Sequence, residues 1–221
     1  MDVAAELISH GVAGGGTVVV TAHQSAGRGT HGREWFDEPG GALLATMIVD
    51  DARVDSLLPL RVGLALCDLL ESLGIADARI KWPNDCMCDN AKIGGILTRL
   101  ESPHALIGVG LNVTSAPAAG ATSVAAELAR RAPGGRPDSA ATITPDAVLE
   151  PFLAAFCRRI DATEIGRDCG ARLWGLGRTV HIERPGGDTI TGTIAGVSGD
   201  GALNISRNDK EEPIYAGRIR M

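Results

Sequence analysis

Apolar residues recur at helical spacing across residues 56–73, through Leu57, Leu60, Leu64, Leu66, Leu69 and Leu70, and this stripe predicts a helix with Ser56 as N-cap and Gly74 at its stop. A shorter amphipathic run over residues 2–10 predicts a helix ended by Gly11, with Val3, Leu7 and Ile8 on one side. The β-branched stretch 17–22 predicts a buried strand, followed by the glycine-rich loop AGRGTHGREW and a second apolar run, ALLATMIV. Two further strands are predicted at 79–88 and 91–100 around Asp89-Asn90, whose short polar side chains accept the positive φ of a tight turn. The run ALIGVGLNV continues the same sheet.

Residues 114–143 are rich in Ala, Pro and Gly and predict a surface excursion with a short helix at 124–131. Thr144-Pro145 starts another helix, striped by Val148, Phe152, Leu153, Phe156 and Ile160, which Pro151 is expected to kink or delay. After Gly170 the character changes. TVHIERP, GDTITGTIAGV, GALNISR and EPIYAGRIRM are short β-like runs punctuated by glycine, as in a small barrel of about 50 residues. The expected fold class is α/β (α+β), with a main domain at 1–171 and a small one at 172–221.

Composition narrows the function. A net charge of −6 over 221 residues excludes general binding to nucleic-acid backbones, which needs a basic surplus, but leaves room for a local basic site. Five cysteines without a C-x-x-C pair speak against structural zinc and for a reduced, cytoplasmic chain. Neither a signal peptide nor an apolar run long enough for a bilayer is present in the sequence, so a soluble protein without membrane contact is expected.

Two stretches carry candidate chemistry. In Gly27-Arg28-Gly29-Thr30-His31-Gly32-Arg33, glycines allow main-chain N–H groups close to an anion, and the arginines offer planar forks for phosphate or carboxylate. The spacing matches neither the P-loop nor G-x-G-x-x-G. In KWPNDCMCDNAKIGGIL, Asn84 and Asp85 follow a proline in a strand-like run, where polar groups weaken a sheet. Folding the hairpin brings Asp85 toward Lys92. This stretch holds Lys81 and Lys92, two of three lysines in a chain that otherwise uses arginine, which points to a need for a compact point charge.

TAHQSAGRGTHGREW, KWPNDCMCDNAKIGGIL and IGVGLNV, in that order, closely resemble the catalytic domain of biotin protein ligases, and the resemblance covers nearly the whole chain. It implies a mixed-sheet domain related to class II aminoacyl-tRNA synthetases and lipoate ligases, followed by an SH3-like barrel. It implies activation of biotin with ATP and Mg²⁺ to biotinyl-5'-AMP, then transfer to a lysine of a biotin carboxyl carrier domain of acetyl-CoA or a related carboxylase. By the same resemblance Lys92 and Arg28 stabilise the reacting charges and Asp85 serves the acceptor amine. Gln24, Arg28, Gly29, Thr30, Lys92 and Gly94 face biotin; Arg28, Arg33, Trp35, Asn84 and Asn112 face the nucleotide, with Trp35 over the adenine. Metal ligands stay unnamed, Lys81 is assigned to the framework, and Cys86 and Cys88 to the core. Gly95, Gly108 and Gly110 are expected where strands approach ligand closely.

The sequence departs from the family in two places. Members usually open with a Ser-Thr-Asn type segment that contacts biotin, whereas this chain begins on the following helix; the expectation is a start assigned too far downstream. No helix-turn-helix segment precedes the domain, and DNA binding is not expected. Thr30 stands where arginine is common, which removes one charge-assisted contact to the adenylate. Two rival readings are a lipoate-type ligase and a homologue that binds ligand or carrier without turnover. Monomer and homodimer both fit.

Overall fold

The computed structural model describes residues 1–50, 54–132, 143–208 and 210–220; the middle of the expected excursion, 133–142, and the side chain of His31 lie outside the described residues. The chain runs α1 (Asp2–Ser9), β1 (Val18–Thr21), β2 (Ala42–Asp50), α2 (Leu58–Ser72), β3 (Ala78–Lys81), β4 (Asp85–Cys88), β5 (Ala91–Glu101) and β6 (His104–Asn112). Then follow α3 (Val124–Arg131), α4 (Pro145–Ile160), α5 (Ile165–Ala171), β7 (Thr179–Glu183), β8 (Thr189–Val197), β9 (Leu203–Arg207), β10 (Lys210–Ile214) and β11 (Arg218–Arg220). The first six strands form one sheet in the order β1-β2-β6-β5-β4-β3, and the last five form a second in the order β10-β9-β8-β7-β11. This is a mixed α/β fold with a small C-terminal β unit. All strand pairings in the first sheet are antiparallel; the parallel component is confined to isolated bridges, Ile80 with Leu173 and Lys92 with Ala121.

Strand alternation decides what each face of the large sheet does. In β2 and β6 the odd residues Leu43, Ala45, Met47, Ile107, Val109 and Leu111 join the main core, which also holds residues of α2 and α4. On the opposite face Ile48 and Leu106 pack with Ala4 of α1. Helix α2 is buried along most of its length, Leu58, Leu60, Leu64, Leu66, Leu69 and Leu70 among its residues. Each such leucine contributes about 1.5–3 kcal/mol of apolar burial, which is what holds the helix to the sheet. The main core continues through Leu173 and Trp174 into Val180, Ile182, Ile194 and Ile205 of the second sheet.

Several local expectations change. The strand at 17–22 is not buried: β1 is an edge strand with Val20 about half exposed, because β2 covers only one of its sides. The predicted strand 79–88 is itself a hairpin. Lys81 pairs with Asp85, and Trp82-Pro83-Asn84 form the turn, since proline cannot donate to a ladder. Ser56 does not cap α2; its Oγ donates to the Asp200 carbonyl at 2.7 Å, while Asp55 Oδ1 accepts from Leu57 N at 3.0 Å. Helix α4 starts at Pro145 and continues across Pro151, which lies on the exposed side where water can serve the carbonyl of Ala147. The final run EPIYAGRIRM divides into β10 and β11.

Candidate active site

The face of the sheet that carries α1 leaves part of itself open. A cavity of about 370 Å³ lies between α1, the loop after β1 and strands β2, β6 and β5. Its floor follows from alternation: the even residues of β6 turn this way, and two of them are Gly108 and Gly110. A Cβ at Gly110 would fall 2.5 Å from the Trp35 ring, so only glycine lets the indole lie on the sheet here.

Lys92 reaches the same face through an irregularity. Cys86 pairs with Gly94, but Met87 pairs with Lys92, so Ile93 is an extra residue on β5. The bulge sends Ile93 into the core and turns both Lys92 and Gly95 to the cavity, while Gly94 stays behind the wall against the Gly110 carbonyl. Lys92 Nζ donates to Asp85 Oδ1 at 2.6 Å and sits 5.7 Å from the centroid of the Trp35 ring. Both partners are largely shielded, the Asp85 side chain being 17 % exposed. The carboxylate therefore fixes the ammonium at one point of the wall.

The glycine-rich loop closes on itself over the opposite side. Trp35 N donates to Gly27 O at 3.0 Å and Gly29 N to Arg33 O at 2.8 Å, with a single 3₁₀ turn at Thr30–Gly32. Arg28, Gly29 and Thr30 line the cavity with Gln24. Arg28 Nη2 donates to Asp2 Oδ1, tying the loop to α1. Arg33 turns back on the loop instead, its Nη2 donating to Thr30 Oγ1 at 2.9 Å. The indole N–H of Trp35 is buried and has no acceptor among the described residues, a state that costs about 1–3 kcal/mol unless a ligand or water supplies one.

Of the residues singled out in the sequence, Gln24, Arg28, Gly29, Thr30, Trp35, Asn84 and Lys92 share the cavity wall. Asp85 lines an adjoining crevice of about 60 Å³ with Lys81 and Arg218. Asn84 also serves the scaffold, its Nδ2 donating to the Ile96 carbonyl at 2.8 Å. Asn112 is not brought to the cavity; it is buried and donates to the Thr122 carbonyl at 3.0 Å, holding the chain beyond β6. Lys81 lies 4.7 Å from the Trp174 ring, and burial lowers its pKa below the ordinary lysine value. Cys86 and Cys88 are core thiols; burial pushes Cys88 up to about 12.

Sequence reasoning missed Met1, Asp2, Val19, Val20 and His23 as lining residues. It also missed Asp37, whose nearly inaccessible carboxylate accepts from His23 Nδ1 at 2.8 Å and from Gln24 N at 3.4 Å. No spacing rule announces this contact, because it joins residues 14 positions apart across an irregular loop.

Two cations, Arg28 and Lys92, face a glycine-floored cavity on an α/β sheet domain that is followed by a small β unit. Comparison makes this particular. Residues 1–112 match the biotin/lipoate A/B protein ligase family, and residues 175–221 match the biotin protein ligase C terminal domain. The biotin--[acetyl-CoA-carboxylase] ligase of Mycobacterium tuberculosis is 30% identical over 97% of this chain and 84% of the relative. That of Paracoccus denitrificans is 31% identical over 93% of this chain and 90% of its own. Among solved structures, the biotin protein ligase from Aquifex aeolicus in complex with biotin and ATP superposes with a TM-score of 0.81 at 23% identity, covering 98% of this chain and 93% of that one. The Leishmania major enzyme in complex with biotinyl-5-AMP gives 0.68 at 26%, covering 96% and 93%. The chain belongs to the biotin protein ligase family.

Proposed function

We propose that this chain is a working biotin--[acetyl-CoA-carboxylase] ligase whose reaction centre lies between Arg28 and Lys92. The enzyme joins biotin to ATP and transfers the biotinyl group to protein. The observation that supports this assignment of the centre is the convergence of the two cations on one cavity over glycine. In the first step a biotin carboxylate oxygen attacks the α-phosphorus and pyrophosphate leaves; in the second an amine attacks the mixed-anhydride carbonyl, AMP leaves and a proton is lost. Arg28 and Lys92 stabilise the negative charge that develops in both. Asp85 holds Lys92 Nζ in place and stands where the acceptor lysine arrives. Gln24, with an amide that donates and accepts, contacts biotin, and Trp35 covers the adenine. Asn84, on the cavity wall, serves the nucleotide; Arg33 reaches the phosphates once it leaves Thr30, while Gly94 and Asn112 act from behind the wall.

Among the described residues no three His, Cys, Asp or Glu side chains gather into a metal site. Mg²⁺ would neutralise the phosphate charge of ATP, with phosphate oxygens and few protein groups as ligands. The acceptor is a biotin carboxyl carrier domain of a carboxylase, and the reaction is cytoplasmic, where ATP and carrier meet; no helix among the described residues is long and apolar enough to cross a membrane. The division at 171/172 into a catalytic and an SH3-like domain belongs to this reading, supported by the second sheet starting at Thr179.

The test is the mass of a biotin carrier domain after incubation with the chain, biotin and Mg-ATP, with Lys92→Ala in parallel. One biotinyl group gained, and lost in the variant, is expected. With lipoate supplied in a parallel reaction, modification by lipoate and none by biotin would make the chain a lipoate-type ligase. Retained adenylate without amide formation would make it a binding homologue.

A further inference from the structure

Arg28 carries a partner that the reaction does not call for. Asp2, in the first turn of α1, lines the cavity, and its Oδ1 accepts from Arg28 Nη2 and, at 3.2 Å, from Arg99 Nη1. The guanidinium of Arg28 has no other acceptor among the described residues. A carboxylate thus already sits on the group that reads the substrate carboxylate. The hydrogen bond from Arg28 holds the Asp2 carboxyl below its ordinary range, so Asp2 is an anion throughout the neutral region.

We infer that Asp2 is a specificity-determining residue: it occupies Arg28 as a stand-in for the substrate carboxylate and must be displaced by it. The contact is built for exchange. The Asp2 side chain is 72 % exposed and that of Arg28 54 %, so water replaces either partner at little cost. Arg99 offers Asp2 a second guanidinium to keep when Arg28 is taken, and Arg99 is itself anchored to Glu101 Oε2 at 3.1 Å. A carboxylate arriving at Arg28 meets like charge from Asp2. Only a ligand whose remaining atoms fill the cavity gains enough to overcome that repulsion, and small free carboxylates do not.

The inference rests on Arg28 as the carboxylate-binding group. Its test is calorimetric binding of biotin and of its uncharged primary amide to the full chain and to Asp2→Asn, without ATP. Removing the charge at Asp2 is expected to tighten biotin binding by about two- to fivefold, the scale of one exposed ion pair, and to leave the amide unchanged. The gain shrinks as salt is raised. A substitution that only disturbed α1 would move both ligands alike, and that result overturns the inference, as does unchanged or weaker binding of biotin. Failure of both chains to bind either ligand would instead overturn the ligase reading itself.

Discussion

Gly110→Ala tests whether the indole of Trp35 must lie on the sheet for catalysis. The added methyl would stand 2.5, 2.7 and 2.8 Å from the ring atoms Cζ2, Cε2 and Cη2. Carbon atoms settle at about 3.5–4.0 Å, so the ring has to retreat by roughly 1 Å. The Trp35 main chain is held by its N–H donating to Gly27 O at 3.0 Å, so the side chain has to absorb the shift. The retreat opens the face over Lys92, whose Nζ stands 5.7 Å from the ring centroid. A displacement of this size costs about 100-fold in rate, or about 2.7 kcal/mol of transition-state stabilisation. Overpacking lowers stability by about 1–3 kcal/mol, a drop in Tm of about 2–4 °C for each of them. The assay is biotin-dependent exchange of labelled pyrophosphate into ATP, read beside the thermal midpoint and the tryptophan emission. Gly170→Ala is the control, since a Cβ there meets nothing within 4 Å. A folded Gly110→Ala enzyme within twofold of the parent in kcat/KM, with unchanged emission, would refute the argument.

Lys92→Met leaves the Asp85 carboxylate shielded and unpaired, so urea unfolding should show a loss of about 1–3 kcal/mol, more than half of it regained in Asp85→Asn/Lys92→Met although both remain inactive. Thr30→Arg restores a guanidinium beside the adenylate and should slow release of biotinyl-AMP; equal dissociation rates for variant and parent would rule this out. Cys157 is the one exposed thiol and the other four are buried, so a thiol reagent should modify a single cysteine in the native chain and five after denaturation. Burial raises Cys88 and Cys169 from 9.0 to about 12, so the folded chain keeps protons that the unfolded chain releases. Their contribution is complete below pH 9.0 and is lost as pH rises toward about 12, which a falling urea midpoint over that range would record.

The sequence by itself determined whatever depends on local period and composition. The leucine stripe of α2 and the short stretch of α3 need only the 3.6-residue repeat, and the alternation Ile107-Gly108-Val109-Gly110-Leu111 already separates a core face from an open one. The ordered motifs singled out Arg28, Lys92 and Asp85, whose chemistry is the reading proposed above, and the ion pair between Lys92 and Asp85 followed from one tight turn. Tertiary structure decided what period cannot encode. One extra residue in β5, Ile93, put Lys92 and Gly95 on the same face and Gly94 on the other, because a bulge shifts the side chains that follow it by a face. Strand order made β1 an edge, and the turn between β8 and β9 took the hydroxyl of Ser56 that otherwise suited a helix cap. The contacts of Asp2 with Arg28 and of Asp37 with His23 join residues far apart in sequence through irregular loops, where only the folded chain fixes which charge meets which.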